Sequence, residues 1–376
     1  MDLSYTEEQN LLRDSLQRFV ENSYDISERN KLTSSEDGFS REYWQQFAEL
    51  GWLAMPFAEE DGGIGGTPVD TQVMMEEFGK GLVVEPFLAS IVMAGTALAS
   101  AGNEAQKAEY ISGLIDGSLI GTVAITEPET HQEFHRIALS AAKNGNEYEL
   151  SGAKSVVISA AAANFIIVAT RTSGSDTDQD GISFFIVPAD AEGLSRKDYP
   201  TMDGLRASEL TFDKVKVSAA QLLGEEGKGY PTLEKIVNRT ILALSAEAVG
   251  AMDILYNDTI AYTKQREQFD HPLSDFQVLK HRMTEMFVEY SLAKSLTLKA
   301  TMLETQGSDE TQRTIHALKY LIGKTSRFVA QNAVQLHGGM GMTEELRVAH
   351  YFKRLTVIDA MFGNTDYHLE RFVGQA

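Results

Sequence analysis

From Leu233 almost to its end the chain repeats apolar residues at helical spacing, and the repeat breaks at only two marked places. The first break is Tyr262-Thr263-Lys264-Gln265-Arg266-Glu267-Gln268-Phe269, continuing through His271-Pro272-Leu273 to Phe276-Gln277. The second is the glycine-rich run Gln335-Leu336-His337-Gly338-Gly339-Met340-Gly341. Long helices are predicted over 233–266, 274–305, 310–336 and 345–374. Short connections between long amphipathic helices make them antiparallel neighbours, so this part of the chain is expected to be a four-helix bundle.

The texture before the bundle is different. Leu119 to Thr126, Tyr148 to Lys154, Phe165 to Thr170, Ile182 to Pro188 and Leu210 to Val217 are short apolar or alternating runs bounded by polar turns. The Ser173 to Gly181 stretch, rich in Ser, Asp and Gly, reads as a hairpin loop, and Ser151-Gly152-Ala153-Lys154 as the end of a strand and a turn. No helix separates these runs, which points to a small antiparallel barrel or sandwich. Residues 1 to about 117 read as helical. Ser40 is a plausible N-cap, Gly62-Gly63-Ile64-Gly65-Gly66 a flexible connection, and 68–80, 86–101 and 104–115 are further helices. The fold class is therefore α+β, with an N-terminal all-α domain (1–117), a middle antiparallel β domain (118–228) and a C-terminal four-helix bundle (229–376).

Composition narrows the function. The 54 acidic against 33 basic residues give a formal charge of −21. That charge repels a phosphate backbone, so neither nucleic acid nor an anionic membrane is expected as a partner. The chain has no cysteine, which excludes disulfides, thiolate nucleophiles and cysteine–zinc sites, and no metal site is expected. Glu85 and Pro86 interrupt the apolar window from Gly81 to Gly102, leaving it short of the roughly 20 residues of a membrane helix. No secretory signal is read at the start, and a cytoplasmic location is expected.

Chemistry gathers at the two helix breaks. An arginine just past a helix offers a planar fork to phosphate oxygens, and Gln268, Phe269 and Gln277 add donors and a ring face. Gln335 with Gly338, Gly339 and Gly341 makes a second polar surface of low bulk, where a ligand can approach the backbone closely. Together they could hold a nucleotide diphosphate. Surface Arg–Glu pairs and glycine C-caps are the bland reading of the same residues.

The ordered series of motifs resembles the acyl-CoA dehydrogenase family of flavoproteins. It comprises Gly51-Trp52 with Gly62-Gly63, Thr126-Glu127-Pro128, Ser151-Gly152-Ala153-Lys154, Met202 to Arg206, Leu223-Gly224-Glu225-Glu226-Gly227, the Arg266/Phe269/Pro272-Leu273/Phe276-Gln277 set and the Gln335 to Gly341 set. The resemblance implies FAD as cofactor, lying extended between two subunits of a dimer within a tetramer. Thr126 would sit at the flavin ring. Arg266, Phe269, Gln277, Gln335, Gly338 and Gly339 would hold the adenosine diphosphate half of the neighbour's FAD. The implied reaction is removal of an acyl-CoA α-proton by a carboxylate and of the β-hydride by the flavin, giving a trans-2-enoyl-CoA.

Three departures from the family pattern stand out. Thr126-Glu127-Pro128 continues as Glu129-Thr130-His131-Gln132-Glu133 where a Gly-Ser-Asp turn is usual. Val156 and Ile158 stand where an aromatic residue and a hydroxyl usually meet the flavin. Counting from Arg354, the usual base position is Gly363; the minority position on the first bundle helix is Thr240. Glu247, seven residues beyond Thr240 and therefore on the same face, is the remaining candidate base. It is flanked by Ala246, Ala248 and Gly250, and burial there would raise its pKa; a packed carboxylate bonded to a neighbouring helix is the alternative. Asp366 and His368 are weaker candidates, read as a helix cap and a surface histidine.

The departures fall on this chain's own flavin and base positions and leave the adenosine diphosphate motifs intact, an asymmetry that resembles the small or β-type subunits of heteromeric acyl-CoA dehydrogenases. The expectation is a subunit of an oxidoreductase acting on a bulky acyl-CoA, such as a steroid side chain or a dicarboxylic acid, with a second, non-identical chain in an α2β2 assembly. Two other readings stand beside it: a self-sufficient homotetramer using Glu247, and a non-catalytic assembly protein on the same fold.

Overall fold

The computed structural model of the chain describes residues 5–130 and 132–374. The helices are α1 (Glu7–Ser23), α2 (Ile26–Ser34), α3 (Arg41–Glu49), α4 (Pro68–Gly81), α5 (Gly95–Ala101), α6 (Glu104–Gln106), α7 (Ser112–Ile115), α8 (Tyr230–Gln265), α9 (Gln277–Gln306), α10 (Thr311–His337), α11 (Arg347–Ala360) and α12 (Thr365–Gly374). Between α7 and α8 lie β1 (Gly121–Ala124), β2 (Ser140–Asn144), β3 (Glu147–Ile158), β4 (Phe165–Arg171), β5 (Ile182–Pro188), β6 (Leu194–Pro200), β7 (Arg206–Ser218) and β8 (Leu222–Leu223). The α+β class and the order helical, β, helical are as expected. By contact the chain divides into two compact units, one of residues 1–31, 67–83 and 241–376, the other of 32–66 and 84–240.

In the first unit α1 packs on α4, α4 on α9, and α10 on α9, α11 and α12. Local chemistry starts these helices. Thr6 and Gln9 form a reciprocal capping box on α1, and Thr67 with Asp70 does the same for α4, which has Pro68 in its first turn. The buried face of α9 is Met283, Met286, Tyr290, Ala293, Thr297 and Ala300, the 3–4 alternation of a helix stripe. The crossing of α4 and α8 is close. A Cβ on Gly79 would lie 2.1 Å from the Glu247 carbonyl oxygen, and one on Gly250 1.9 Å from that of Glu76.

The fourth bundle helix is not continuous, as the periodicity had suggested. Phe362 (φ 54°) and Gly363 (φ 91°) are both left-handed, and they end α11. The Asn364 side chain then accepts the Tyr367 amide at 2.9 Å and starts α12.

In the second unit the strands form one sheet in the order β6-β7-β3-β2-β4-β5-β8, with β1 paired to β4. Strands β2 and β6 lacked an apolar run and were not predicted. Most pairs are antiparallel, but β1–β4 and the single β2–β4 bridge are parallel, so the sheet is mixed rather than purely antiparallel. β1 lies against the helical stretch Leu88–Ala94, and every residue of β4 is buried. A strand covered on both faces loses the alternating pattern, which is why Phe165–Thr170 reads as a continuous apolar run. The core beneath includes Leu150, Ile166, Val168, Phe185, Val187, Leu210 and Phe212. Gly152 makes no turn: β3 continues through it with irregular register to Ile158.

The glycine loop at 62–66 is a packed element rather than a flexible link. A Cβ on Gly63 would lie 2.1 Å from the Phe57 carbonyl oxygen, and one on Gly66 2.5 Å from that of Met55. The glycines are there for close backbone approach. Both 88–94 and 107–111 are wide π-type turns inside otherwise α-helical runs.

Candidate functional site

Helix α8 ends at Gln265, and the chain turns back in a short hairpin. Glu267-Gln268 pairs with His271-Pro272, and the Leu273 amide donates to the Arg266 carbonyl at 2.8 Å. The two tip residues, Phe269 and Asp270, have φ of 55° and 59°, a left-handed turn favoured by Gly and Asn but occupied here by a bulky ring. Phe269 is 86% exposed and meets Phe276 edge to face at 6.3 Å. The Arg266 side chain is exposed and, among the described residues, holds no hydrogen bond or ion pair. Gln277, the first residue of α9, is likewise exposed.

The second break closes α10. Gly338 (φ 62°) and Gly339 face open space, because a Cβ on either would meet nothing within 4 Å. Gln335 is exposed one turn earlier. The Tyr262 ring stacks on His337 at 4.3 Å and 26°, and its hydroxyl donates to the His337 carbonyl at 3.4 Å. Helix α8 and the glycine turn therefore meet just where each ends. A free guanidinium, two free amides, an exposed ring and two uncrowded glycines fit the diphosphate and adenine chemistry of a nucleotide.

The candidate base positions have other surroundings. Glu247 is buried and gripped at both oxygens by Arg354 of α11: Nε to Oε1 at 2.5 Å and Nη2 to Oε2 at 2.7 Å. The glutamate offered as a candidate base is therefore not unpaired: each of its oxygens takes one charge-assisted hydrogen bond from the same guanidinium. The arrangement is the packed carboxylate bonded to a neighbouring helix. Thr240 is fully buried and its hydroxyl donates to the Ile236 carbonyl at 2.6 Å.

Gly363 has no room for any side chain. A Cβ there would lie 2.5 Å from Tyr367 and 2.6 Å from the His368 ring. The turn around it is clasped by α10. Lys319 Nζ, fully buried, donates to the carbonyls of Ile358, Asp359 and Gly363, each at 2.9 Å. Three N–H groups thus meet three carbonyls, two of them in the last turn of α11, where a cation also complements the helix dipole. Burial pulls the Lys319 ammonium down to about 8. His368, expected at the surface, is buried instead. Its Nδ1 lies 2.9 Å from His316 Nδ1, and its Nε2 is 2.8 Å from the Phe362 carbonyl oxygen. Asp366 lies in the first turn of α12, while Asn364 supplies the cap.

In the sheet unit, Thr126 is half-buried and its carbonyl accepts the Ser155 amide at 2.8 Å. Beside it Glu127 and Lys154 form a buried pair at 2.6 Å. Glu127 also accepts the amides of Ala138 (2.8 Å) and Leu139 (3.0 Å), tying the loop after Thr126 to the sheet. Burial pulls the Lys154 ammonium down to about 8, against the opposing pull of Glu127. Val156 sits in the irregular stretch of β3 with φ 53° and is 52% exposed; Ile158 is half-buried and its carbonyl accepts the Thr122 hydroxyl. His131 lies outside the described residues. No cluster of three or more His, Asp or Glu able to hold a metal occurs among the described residues. No described helix is long and apolar enough to cross a membrane.

Profiles of the acyl-CoA dehydrogenase N-terminal, middle and C-terminal domains match residues 6–118, 122–215 and 227–375. The chain belongs to the acyl-CoA dehydrogenase family. Members of the family are FAD-dependent oxidoreductases acting on acyl-CoA. The chain is 28% identical to the probable acyl-CoA dehydrogenase YngJ of Bacillus subtilis over 371 residues, 97% of each chain. Among solved structures it is similar to butyryl-CoA dehydrogenase from Megasphaera elsdenii (TM-score 0.91, 26% identity, 100% and 99% of the two chains). It is also similar to a variant of the Tcur3481-Tcur3483 steroid ACAD (TM-score 0.89, 26% identity, 98% and 97%).

The sequence pointed to Arg266, Phe269, Gln277, Gln335, Gly338 and Gly339, and the structure brings all six to the two adjoining breaks. Sequence reasoning passed over Lys319, His316 and the role of Arg354. A lysine and a histidine on one helix carry no local signal of the carbonyls they will meet from another. The Tyr262–His337 contact had a weak one, since Asp258, Tyr262 and Arg266 follow one another at four-residue spacing.

Proposed function

We propose that this chain is the flavin-sharing subunit of a heteromeric acyl-CoA dehydrogenase. It donates Arg266, Phe269, Gln277, Gln335, Gly338 and Gly339 to the adenosine diphosphate half of an FAD, while a non-identical partner supplies the catalytic carboxylate. The observation that carries this reading is Gly363. At the position where the family resemblance puts the base, the backbone is left-handed and a Cβ would collide with Tyr367 and His368. Glu247 acts as the counter-ion of Arg354, and Thr240 spends its hydroxyl on its own helix.

FAD, when bound, supplies the acceptor for the β-hydride of the acyl-CoA. This chain's part is recognition. Arg266 offers its fork to the diphosphate, Gln277 and Gln335 offer amides, and Gly338 and Gly339 let the nucleotide approach the backbone. Thr126, with its carbonyl pinned by Ser155, belongs instead to the place where this chain's own flavin ring would lie, and there Val156 and Ile158 present no hydrogen-bonding side chain. A steroid or other bulky acyl-CoA is the substrate class favoured, supported by the structural likeness to a steroid ACAD.

Purification alone and with candidate partner subunits tests the proposal. A chain that is colourless alone and gains flavin and acyl-CoA-dependent dye reduction with a partner supports it. A yellow chain active alone sinks it in favour of the self-sufficient homotetramer. No flavin with any partner favours an assembly protein without catalysis.

A further inference from the structure

The C-terminal turns of α8 carry three residues at four-residue spacing: Asp258, Tyr262 and Arg266. Two of them grip the glycine turn at 338–342, one on each flank. On the upstream flank, Tyr262 stacks on His337 at 4.3 Å and donates to its carbonyl. On the downstream flank, Asp258 takes a bidentate pair from Arg347, with Nε to Oδ2 and Nη2 to Oδ1 both at 2.5 Å. His337 is the last residue of α10 and Arg347 the first of α11, so the pair of grips brackets the whole glycine-rich connection. The His337 ring is itself held, with Nδ1 2.8 Å from the Ala333 carbonyl oxygen one turn back. Arg266, the third residue, is left free at the end of the ladder.

We infer that Tyr262 and Asp258 are positioning residues for the nucleotide. They lock the glycine turn to the helix that carries Arg266, so that the guanidinium and the open glycines face one ligand at a fixed separation. The inference rests on the proposed nucleotide role of Arg266 and adds to it the device that sets the geometry. The turn needs such a device. The turn is a short 3-10 segment in which only Gly341 is buried against α10; Gly338 and Gly339 have no side chains to pack, Gly338 is left-handed, and Met340 and Met342 are exposed, so side-chain packing restrains its first residues little. A ligand held by groups on two separate segments binds tightly only if the segments are already in register.

Two measurements test this on the full-length chain and on its flavin-loaded assembly. Amide hydrogen exchange over 338–343 in the full-length chain without FAD reads the lock itself. Tyr262→Leu, which removes the ring, and Asp258→Asn, which weakens the bidentate pair, are expected to speed exchange there on the order of tenfold. Tyr262→Phe keeps the stack and is expected to stay near the parent rate. FAD affinity of the assembly then reads the consequence, with Tyr262→Leu weakening it about tenfold. With Arg266→Ala already in place, Tyr262→Leu is expected to add much less, because a positioned group is missing. A purely structural tyrosine would give additive losses, which would overturn the positioning role. Unchanged exchange in both Tyr262→Leu and Asp258→Asn would also overturn it, whatever FAD does. If Arg266→Ala leaves FAD affinity unchanged, the nucleotide reading fails and the positioning role falls with it; altered exchange would then report only a structural lock.

Discussion

Arg354 holds both oxygens of Glu247 in a buried bidentate pair, at 2.5 and 2.7 Å. The pair joins α11 to α8 through the carboxylate that helix spacing had offered as a base.

Breaking this pair from one side leaves the other charge buried and unpaired. Arg354→Leu or Glu247→Met alone is therefore expected to cost about 3–5 kcal/mol. The double variant is expected to lose far less than the sum, because apolar side chains of similar volume avoid the desolvation penalty. Urea unfolding of the two singles and the double checks this, and additive losses would show that the pair is not coupled.

Gly363 is committed twice, by its left-handed φ and by the contacts of Tyr367 and His368. Gly363→Ala is expected to destabilise the chain by about 1–3 kcal/mol. Gly363→Glu is expected to cost at least as much and to bring no dehydrogenase activity to the isolated chain. Thermal melts and dye reduction read the two outcomes, and a stable, active Gly363→Glu protein would refute the account of this turn.

His316 and His368 face each other at 2.9 Å, and burial is the largest cause of their lowered pKa values, about 4 and about 3. Arg371 adds to the depression at His316; Lys319 and His316 add to it at His368, while Asp359 and the Phe362 carbonyl oppose it. Both rings are neutral in the folded chain, whereas in the unfolded chain they protonate near pH 6.5. Their contribution is complete above that pH, falls as the pH drops below it, and is exhausted once the folded pKa values are passed. Each histidine contributes up to about 1.4 kcal/mol per pH unit across this window. Unfolding free energies between pH 7 and 4 are expected to fall less steeply in His316→Gln than in the parent chain.

Val156 is a β-branched residue held at φ 53° and half open to solvent. L-residues pay roughly 1–2 kcal/mol there, and asparagine pays least after glycine. Val156→Asn is expected to raise stability by about 1 kcal/mol, read as a higher unfolding midpoint. A lower midpoint would mean that the exposed Val156 side chain makes packing contacts worth more than the strain.

Periodicity alone made the long helices legible, because each buries one stripe and repeats it for many turns. The apolar strands were legible for a related reason: β4 and β5 are buried along nearly their whole length. β2 and β6 were not, since most of their residues are exposed and they are held by backbone pairing that leaves no side-chain signature. The break at Phe362-Gly363 was hidden because apolar residues on either side keep the helical count.

The sequence by itself determined the order of helical and β segments, the two helix breaks with their arginine, amides and glycines, and the absence of a carboxylate at position 363. These are properties of local spacing and residue type. Only the tertiary structure decided that Glu247 belongs to Arg354, that Lys319 caps α11 from another helix, and that Tyr262 and Asp258 bracket the glycine turn. The partners in these contacts lie 39 to 107 residues apart. A buried charge or ring finds its partner only when packing brings distant helices together, so nothing in its own neighbourhood along the chain can announce it.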